Sequence, residues 1–152
     1  MWGNLICIKM KTLIIGAGAV GSLVGGLLYN SGNNIGNGVY VVGRQGHVDA
    51  INKDGLIIEC SGSIDDSLRK LTEGQIKVPA YTKVADAVAA SGVPDLVIIT
   101  TKAYDTEQAL ADCEEVIGEK TRVLSLQNGL GPADIVYEFL RRKYGEETAG
   151  RN

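Results

Sequence analysis

Aromatic side chains are scarce in these 152 residues, with one Trp, one Phe and six Tyr. A core must therefore be assembled from Val, Ile, Leu and Ala, the residues of a parallel sheet covered by helices. Histidine is scarcer still. With His47 as the sole imidazole a zinc site is not expected, and no Asp or Ser is placed by sequence to make it a catalytic base, so His47 is read as solvent-exposed. The three cysteines, Cys7, Cys60 and Cys113, are widely spaced, contain no CxxC and cannot form an even set of bridges. They imply a reducing compartment and are read as small core hydrophobes. No run approaches about 18 uninterrupted apolar residues, so no membrane span is expected. The opening MWGNLICIKM lacks a charged n-region and its apolar run stops at Lys9, which excludes a signal peptide. A cytoplasmic chain is the expectation, with residues 1–9 an extension ahead of an alternative start at Met10.

What is present is ordinary in bulk. A hydrophobic share of 45%, a charged share of 22% and a net charge of -3 are those of a globular chain and exclude a disordered one. The acidic balance argues against nucleic acid as a partner, since such a surface repels phosphate backbones at long range. The length fits one domain. Glycine is the exception, with 20 residues or about 13% against a usual share of roughly 7%.

Along the chain, Lys11 to Ile15 reads as a buried strand ending at Gly16, and Val20, Leu23, Val24, Leu27 and Leu28 form the apolar stripe of a following helix. Residues 30–38, NSGNNIGNG, form a loop, and Val39 to Val42 a second strand closed by Gly43 and Arg44. Between Leu56 and Val78 the runs LIIEC and QIKV suggest two strands around a charged excursion, an antiparallel edge on the main sheet, with Asp65-Asp66 and Arg69-Lys70 pairing on a solvated helix face. A helical piece from Val84 to Ala90 precedes the apolar run Leu96 to Thr100. Asp105 and Gln108 have capping-box spacing before the stripe Leu110, Cys113 and Ile117. Val123 to Leu126 is a further strand, and Pro132 opens a helix with Ile135, Val136, Phe139 and Leu140 on its apolar face. Alternation of this kind predicts an α/β fold, doubly wound, with a mostly parallel sheet and helices on both faces.

The sharpest motif is Gly16-Ala17-Gly18-Ala19-Val20-Gly21, a GxGxxG at the first strand-to-helix turn. Its glycines allow a tight turn, backbone approach to a pyrophosphate, and close helix-to-strand packing, while the helix N-terminus faces the phosphates. NAD binders place an Asp or Glu about 20 residues on, against the ribose 2'-hydroxyl. Here the second strand ends in Val42-Gly43-Arg44. Arg44 suits a 2'-phosphate, and NADPH is favoured over NADH. Two further polar clusters, Thr100 to Tyr104 and Gln127-Asn128-Gly129, follow later strands, at the sheet end where open α/β folds bind ligands.

Taken together, GAGAVG, VVGR, TTKAYDT and LQNGLG, in that order and spacing, resemble the N-terminal Rossmann domain of the ketopantoate reductase (2-dehydropantoate 2-reductase) family, over roughly residues 10–143. The resemblance implies NADPH-dependent reduction of a 2-keto acid, ketopantoate, to pantoate, toward pantothenate and coenzyme A. It implies that Gly16, Ala17, Gly18, Ala19, Val20 and Gly21 hold the pyrophosphate and Arg44 the 2'-phosphate. Lys102 is implied beside the cofactor, and Asn128 at the nicotinamide ribose and the substrate. Family members are about twice as long, and the helical C-terminal domain that supplies their general-acid Lys has no counterpart here. The expectation is a domain at 10–145 with a short tail at 146–152, binding cofactor with little or no turnover alone, and carrying no catalytic residue itself. A homodimer or a separate catalytic domain would complete the site across an apolar docking face. The rival readings are a non-enzymatic NADP(H)-responsive module and a site for another adenine-containing ligand such as S-adenosylmethionine.

Overall fold

The computed structural model describes residues 10–31 and 38–151. The extension at 1–9 with Cys7, and the middle of the 30–38 loop, lie outside the described residues. Five short runs form strands β1 (Thr12–Ile15), β2 (Val39–Val42), β3 (Ala80–Tyr81), β4 (Leu96–Ile99) and β5 (Arg122–Ser125). They make one all-parallel sheet in the order β3-β2-β1-β4-β5. The helices are α1 (Ala19–Asn30), α2 (Gln45–Asp54), α3 (Asp66–Thr72), α4 (Val84–Ser91), α5 (Thr106–Asp112), α6 (Pro132–Tyr144) and α7 (Glu146–Ala149).

Every residue of β1 and β2 is buried, so neither strand alternates with polar residues. The pleat still divides them between two cores. Leu13, Ile15, Tyr40, Val42, Val97 and Ile99 face one core, closed by Val84 and Ala87 of α4, Leu110 of α5 and Val136 and Leu140 of α6. Ile14, Val39, Val41 and Ile98 face the other, closed by Val48 and Ile51 of α2 and by Val24 and Leu28 of α1. Helices on both faces of a parallel sheet make the doubly wound α/β architecture expected from the alternation of elements.

Several local expectations are corrected. The stripe of α1 is only partly its packed face: Val24 and Leu28 pack on the core, but Val20 and Leu23 are 49% and 45% exposed, whereas Gly21, Gly25 and Gly26 are buried. A Cβ on Gly25 would lie 3.0 Å from Val41 Cγ1 and 3.3 Å from Ile14 Cδ1, so α1 meets the sheet through its glycines, closer than a leucine stripe permits. LIIEC and QIKV contribute one antiparallel bridge, Leu56 to Ile76, and no strand pair. The edge of the sheet is instead β3, parallel and held by Asn52, whose side chain donates to the Ala80 carbonyl and accepts from its N–H. The acidic pair splits its work, Asp65 capping α3 through the Ser67 N–H while Asp66 lies 4.0 Å from Arg69 at i,i+3. Asp105 makes no capping bond, and Gln108 donates to Asp112. Of the cysteines described, Cys113 is a core residue whose thiol burial pushes up to about 12, but Cys60 is exposed. Residues expected as a tail begin with α7, whose Thr148 and Ala149 are buried.

Thr12, fully buried in β1, holds the one buried side-chain polar atom without a hydrogen-bond partner among the described residues. Desolvating a hydroxyl with no compensating bond costs free energy that a methyl group avoids. Thr12→Val is expected to raise the unfolding free energy by about 1 kcal/mol in urea denaturation; a loss of stability would show that the hydroxyl has a partner in the folded chain.

Candidate functional site

Strand register fixes where the motifs meet. Ile15 is level with Val42 and Ile99, and Ile99 with Ser125. Gly16, Gly43, Thr100 and Leu126 therefore leave the sheet at one rim, its C-terminal end. The strand order reverses about β1, and the crevice between the loops after β1 and β4 is where open α/β sheets take ligands. A cleft of about 840 Å³ opens there, and all nine cofactor candidates of the sequence except Gly21 line it. Gly21 lies directly beneath.

The glycine loop is built from its carbonyls inward. Gly16, at φ +111°, turns the chain out of β1, in a conformation that L side chains rarely adopt. Thr100 Oγ1 donates toward the Ile15 and Gly16 carbonyls at 3.0 and 2.8 Å, and Ser22 Oγ donates to the Ala17 carbonyl at 3.2 Å. Those oxygens are engaged inside the protein, as is the Gly16 N–H, which donates to the Val42 carbonyl at 2.8 Å. A Cβ on Gly21 would fall 1.8 Å from the Gly16 oxygen and 2.5 Å from Thr100 Oγ1. One on Gly18 would meet nothing within 4 Å, because it would point into the cleft. Gly43 is needed too, since a Cβ there would lie 2.5 Å from Ala17 Cβ.

Charge converges on the same space. The first turn of α1 holds no acidic residue and its N-cap, Gly18, offers no side chain, so the first N–H groups and the positive end of the helix dipole remain uncompensated. The same is true of α2, which begins at Gln45 with Arg44 as N-cap. No helix is assigned after Arg44 from the sequence; the spacing of Val48 and Ile51 and the Gly55 C-cap were the available signals. His47 is exposed as expected, but it stands on the cleft wall. Arg44 and Lys102 are both exposed, and the ion pairs among the described residues, at Asp66–Arg69, Glu138–Arg141 and Glu147–Arg151, lie elsewhere. Two cations and two helix N-termini thus surround a cleft whose second strand ends without a carboxylate. Asn128 lies on the opposite wall, exposed. Its neighbour Gln127 also lines the cleft, but its side-chain amide is tied to the protein, donating to the Lys102 carbonyl at 3.0 Å.

The ketopantoate reductase PanE/ApbA family model matches residues 12–145. The chain belongs to that family. It is 43% identical over 139 residues to a 2-dehydropantoate 2-reductase of Pyrococcus horikoshii, covering 91% of this chain and 40% of that protein. The structure of a PanE/ApbA family ketopantoate reductase from Ralstonia eutropha superposes with a TM-score of 0.65 at 36% identity, covering 90% of this chain and 39% of that one. A D-mandelate dehydrogenase solved with NADH gives a TM-score of 0.59 at 32% identity, over 86% of this chain and 34% of that one. This member of the family therefore spans about 40% of the length of the reductases it matches.

Within this family domain the three motif glycines carry different loads. Gly18→Ala is expected to change stability by less than about 0.5 kcal/mol, because its φ of -80° suits alanine and nothing crowds the new methyl. Gly21→Ala is expected to cost at least about 2 kcal/mol, because the Gly16 carbonyl must move. Equal thermal shifts for the two variants would contradict this geometry.

Proposed function

We propose that the chain is the NADPH-binding half of a 2-dehydropantoate 2-reductase, in which the cofactor lies across the C-terminal rim of the sheet. The observation that carries this reading is Arg44, placed at the N-terminus of α2 on the cleft wall with no carboxylate beside it at the end of β2. A carboxylate there would repel a 2'-phosphate, and a guanidinium grips one with a two-pronged, charge-assisted fork. The space over Gly18, where a Cβ would meet nothing within 4 Å, leaves room for a dinucleotide backbone.

In this reading the loop Gly16 to Gly21 cradles the pyrophosphate, the N–H groups beyond Gly16 facing it while the Gly16 N–H stays bonded to the Val42 carbonyl at 2.8 Å, with the α1 dipole adding attraction. Arg44 holds the 2'-phosphate. Lys102 neutralises charge from the far side of the crevice, and Asn128 orients the nicotinamide ribose and the keto acid. NADPH, when bound, supplies the hydride that converts the 2-keto group of ketopantoate to the 2-hydroxy group of pantoate. Reduction also needs a proton donor within hydrogen-bond reach of the substrate oxygen. Lys102 is committed to the cofactor side, so the donor belongs to the part of such a reductase that this chain does not cover. The half-exposed apolar side chains of Leu124 and Leu126 at the edge strand, and the wholly exposed Leu130 beyond them, support a docking face for that part, supplied within a longer protein or by a separate subunit. These 152 residues alone are expected to bind cofactor and to turn over little ketopantoate.

Calorimetric titration with NADPH and with NADH at one salt concentration tests the reading. Arg44→Ala is expected to weaken NADPH by about tenfold or more and NADH by less than about threefold. An equal effect on both cofactors would remove the 2'-phosphate assignment, and tighter NADH than NADPH in the unaltered chain would reverse the cofactor preference.

A further inference from the structure

Gln127 lies two residues beyond β5, and its side chain bridges the gap to the segment leaving β4. Its Nε2 is 3.1 Å from the Thr101 carbonyl, 3.0 Å from the Lys102 carbonyl and 2.9 Å from Thr106 Oγ1. Its Oε1 lies 3.1 Å from Ser125 Oγ. Donor and acceptor roles follow from chemistry. The two carbonyls can only accept, so the nitrogen must face them. The Thr106 hydroxyl gives its proton to the Ala103 carbonyl at 2.7 Å, which leaves it a lone pair for one Nε2 hydrogen. The second hydrogen is shared between the carbonyls of Thr101 and Lys102. Ser125 donates to Oε1 and holds the amide plane.

The segment pinned in this way carries Lys102. Lys102 caps a short 3-10 turn, Ala103–Asp105, and its carbonyl also accepts from the Asp105 N–H at 2.9 Å. The Lys102 ammonium stands on a flexible stem, so its reach into the cleft depends on where its backbone is held. Gln127 supplies the hold from a different strand. A glutamate in its place would turn an oxygen toward two carbonyls, and asparagine is one methylene shorter.

We propose that Gln127, although it borders the cleft, is a positioning residue: its amide clamps the backbone at Thr101 and Lys102, and so sets the affinity for the dinucleotide through Lys102. This rests on the cofactor reading given above.

The test is a double-mutant cycle read by NADPH titration, joined to hydrogen exchange on the cofactor-free 152-residue chain. Gln127→Met keeps the length of the side chain and removes its hydrogen bonds. It is expected to weaken NADPH by about tenfold beside Lys102, and by less than about threefold in a Lys102→Met background. In the same variant the Asp105 amide is expected to exchange about tenfold faster, with the amides in the middle of α6 unchanged. Additive losses in the cycle, unchanged NADPH affinity, or unchanged exchange at Asp105 would each overturn the proposal. A merely structural role would give additivity and a general rise in exchange. Should Gln127→Met fail to fold, Ser125→Ala removes the donor that orients the amide, and the same coupling to Lys102 is expected at about threefold. An unaltered chain that binds no NADPH would sink the cofactor reading and this inference together, whereas a binding chain with an additive cycle sinks this inference alone.

Discussion

The oxygen of Gly16 occupies the space that any side chain at residue 21 would need, and Thr100 Oγ1 holds that oxygen from the neighbouring strand. This contact joins β1, α1 and β4 at a single point. It brings α1 down onto the sheet through Gly21 and Gly25, so that its larger residues are pushed sideways and partly into solvent. It also decides which way the loop faces. With three successive carbonyls bound from inside, the N–H groups at the start of α1 are left for whatever enters the cleft. Gly43 extends the same logic to β2, where it makes room for Ala17 and lets Arg44 follow directly at the rim.

Much of this was legible in the chain because it is local. Runs such as VYVV and LVII are too apolar and too short to be anything but interior strands of a covered sheet, and GAGAVG between a strand and a helix fixes the first crossover. The errors arose where the deciding partner is distant. The α1 stripe misled in part because periodicity reports which residues share a face, and cannot report that the glycines flanking Val24 and Leu28 are the ones pressed closest to Ile14 and Val41. Asp105 has cap spacing, yet the turn at Ala103–Asp105 is held from Gln127 across the sheet, and no local pattern announces that. The runs LIIEC and QIKV have strand composition, but they meet at one bridge, and the sheet edge went to two residues, Ala80 and Tyr81, the first of which Asn52 of α2 holds by both its N–H and its carbonyl.

The cleft itself was read more completely than the packing around it. Its motifs sit at the ends of strands, and parallel register brings strand ends to one level without any side chain having to be guessed. What sequence could not separate was the exposed residue of one adjacent pair from the one tied to the backbone. Asn128 and Gln127 are neighbours of similar chemistry and both line the cleft, yet the Gln127 amide is tied to the backbone at Lys102 while Asn128 is exposed.

The central claim is that a dinucleotide lies over the glycine loop with its 2'-phosphate end at α2. Amide chemical-shift mapping on the isotopically labelled chain, titrated with NADPH, tests it most directly. The account predicts that the largest shifts fall at residues 17–20 and 44–46, with smaller ones at 101–104 and none at α3. Shifts centred away from the C-terminal rim of the sheet, or no shifts at saturating NADPH, would contradict it.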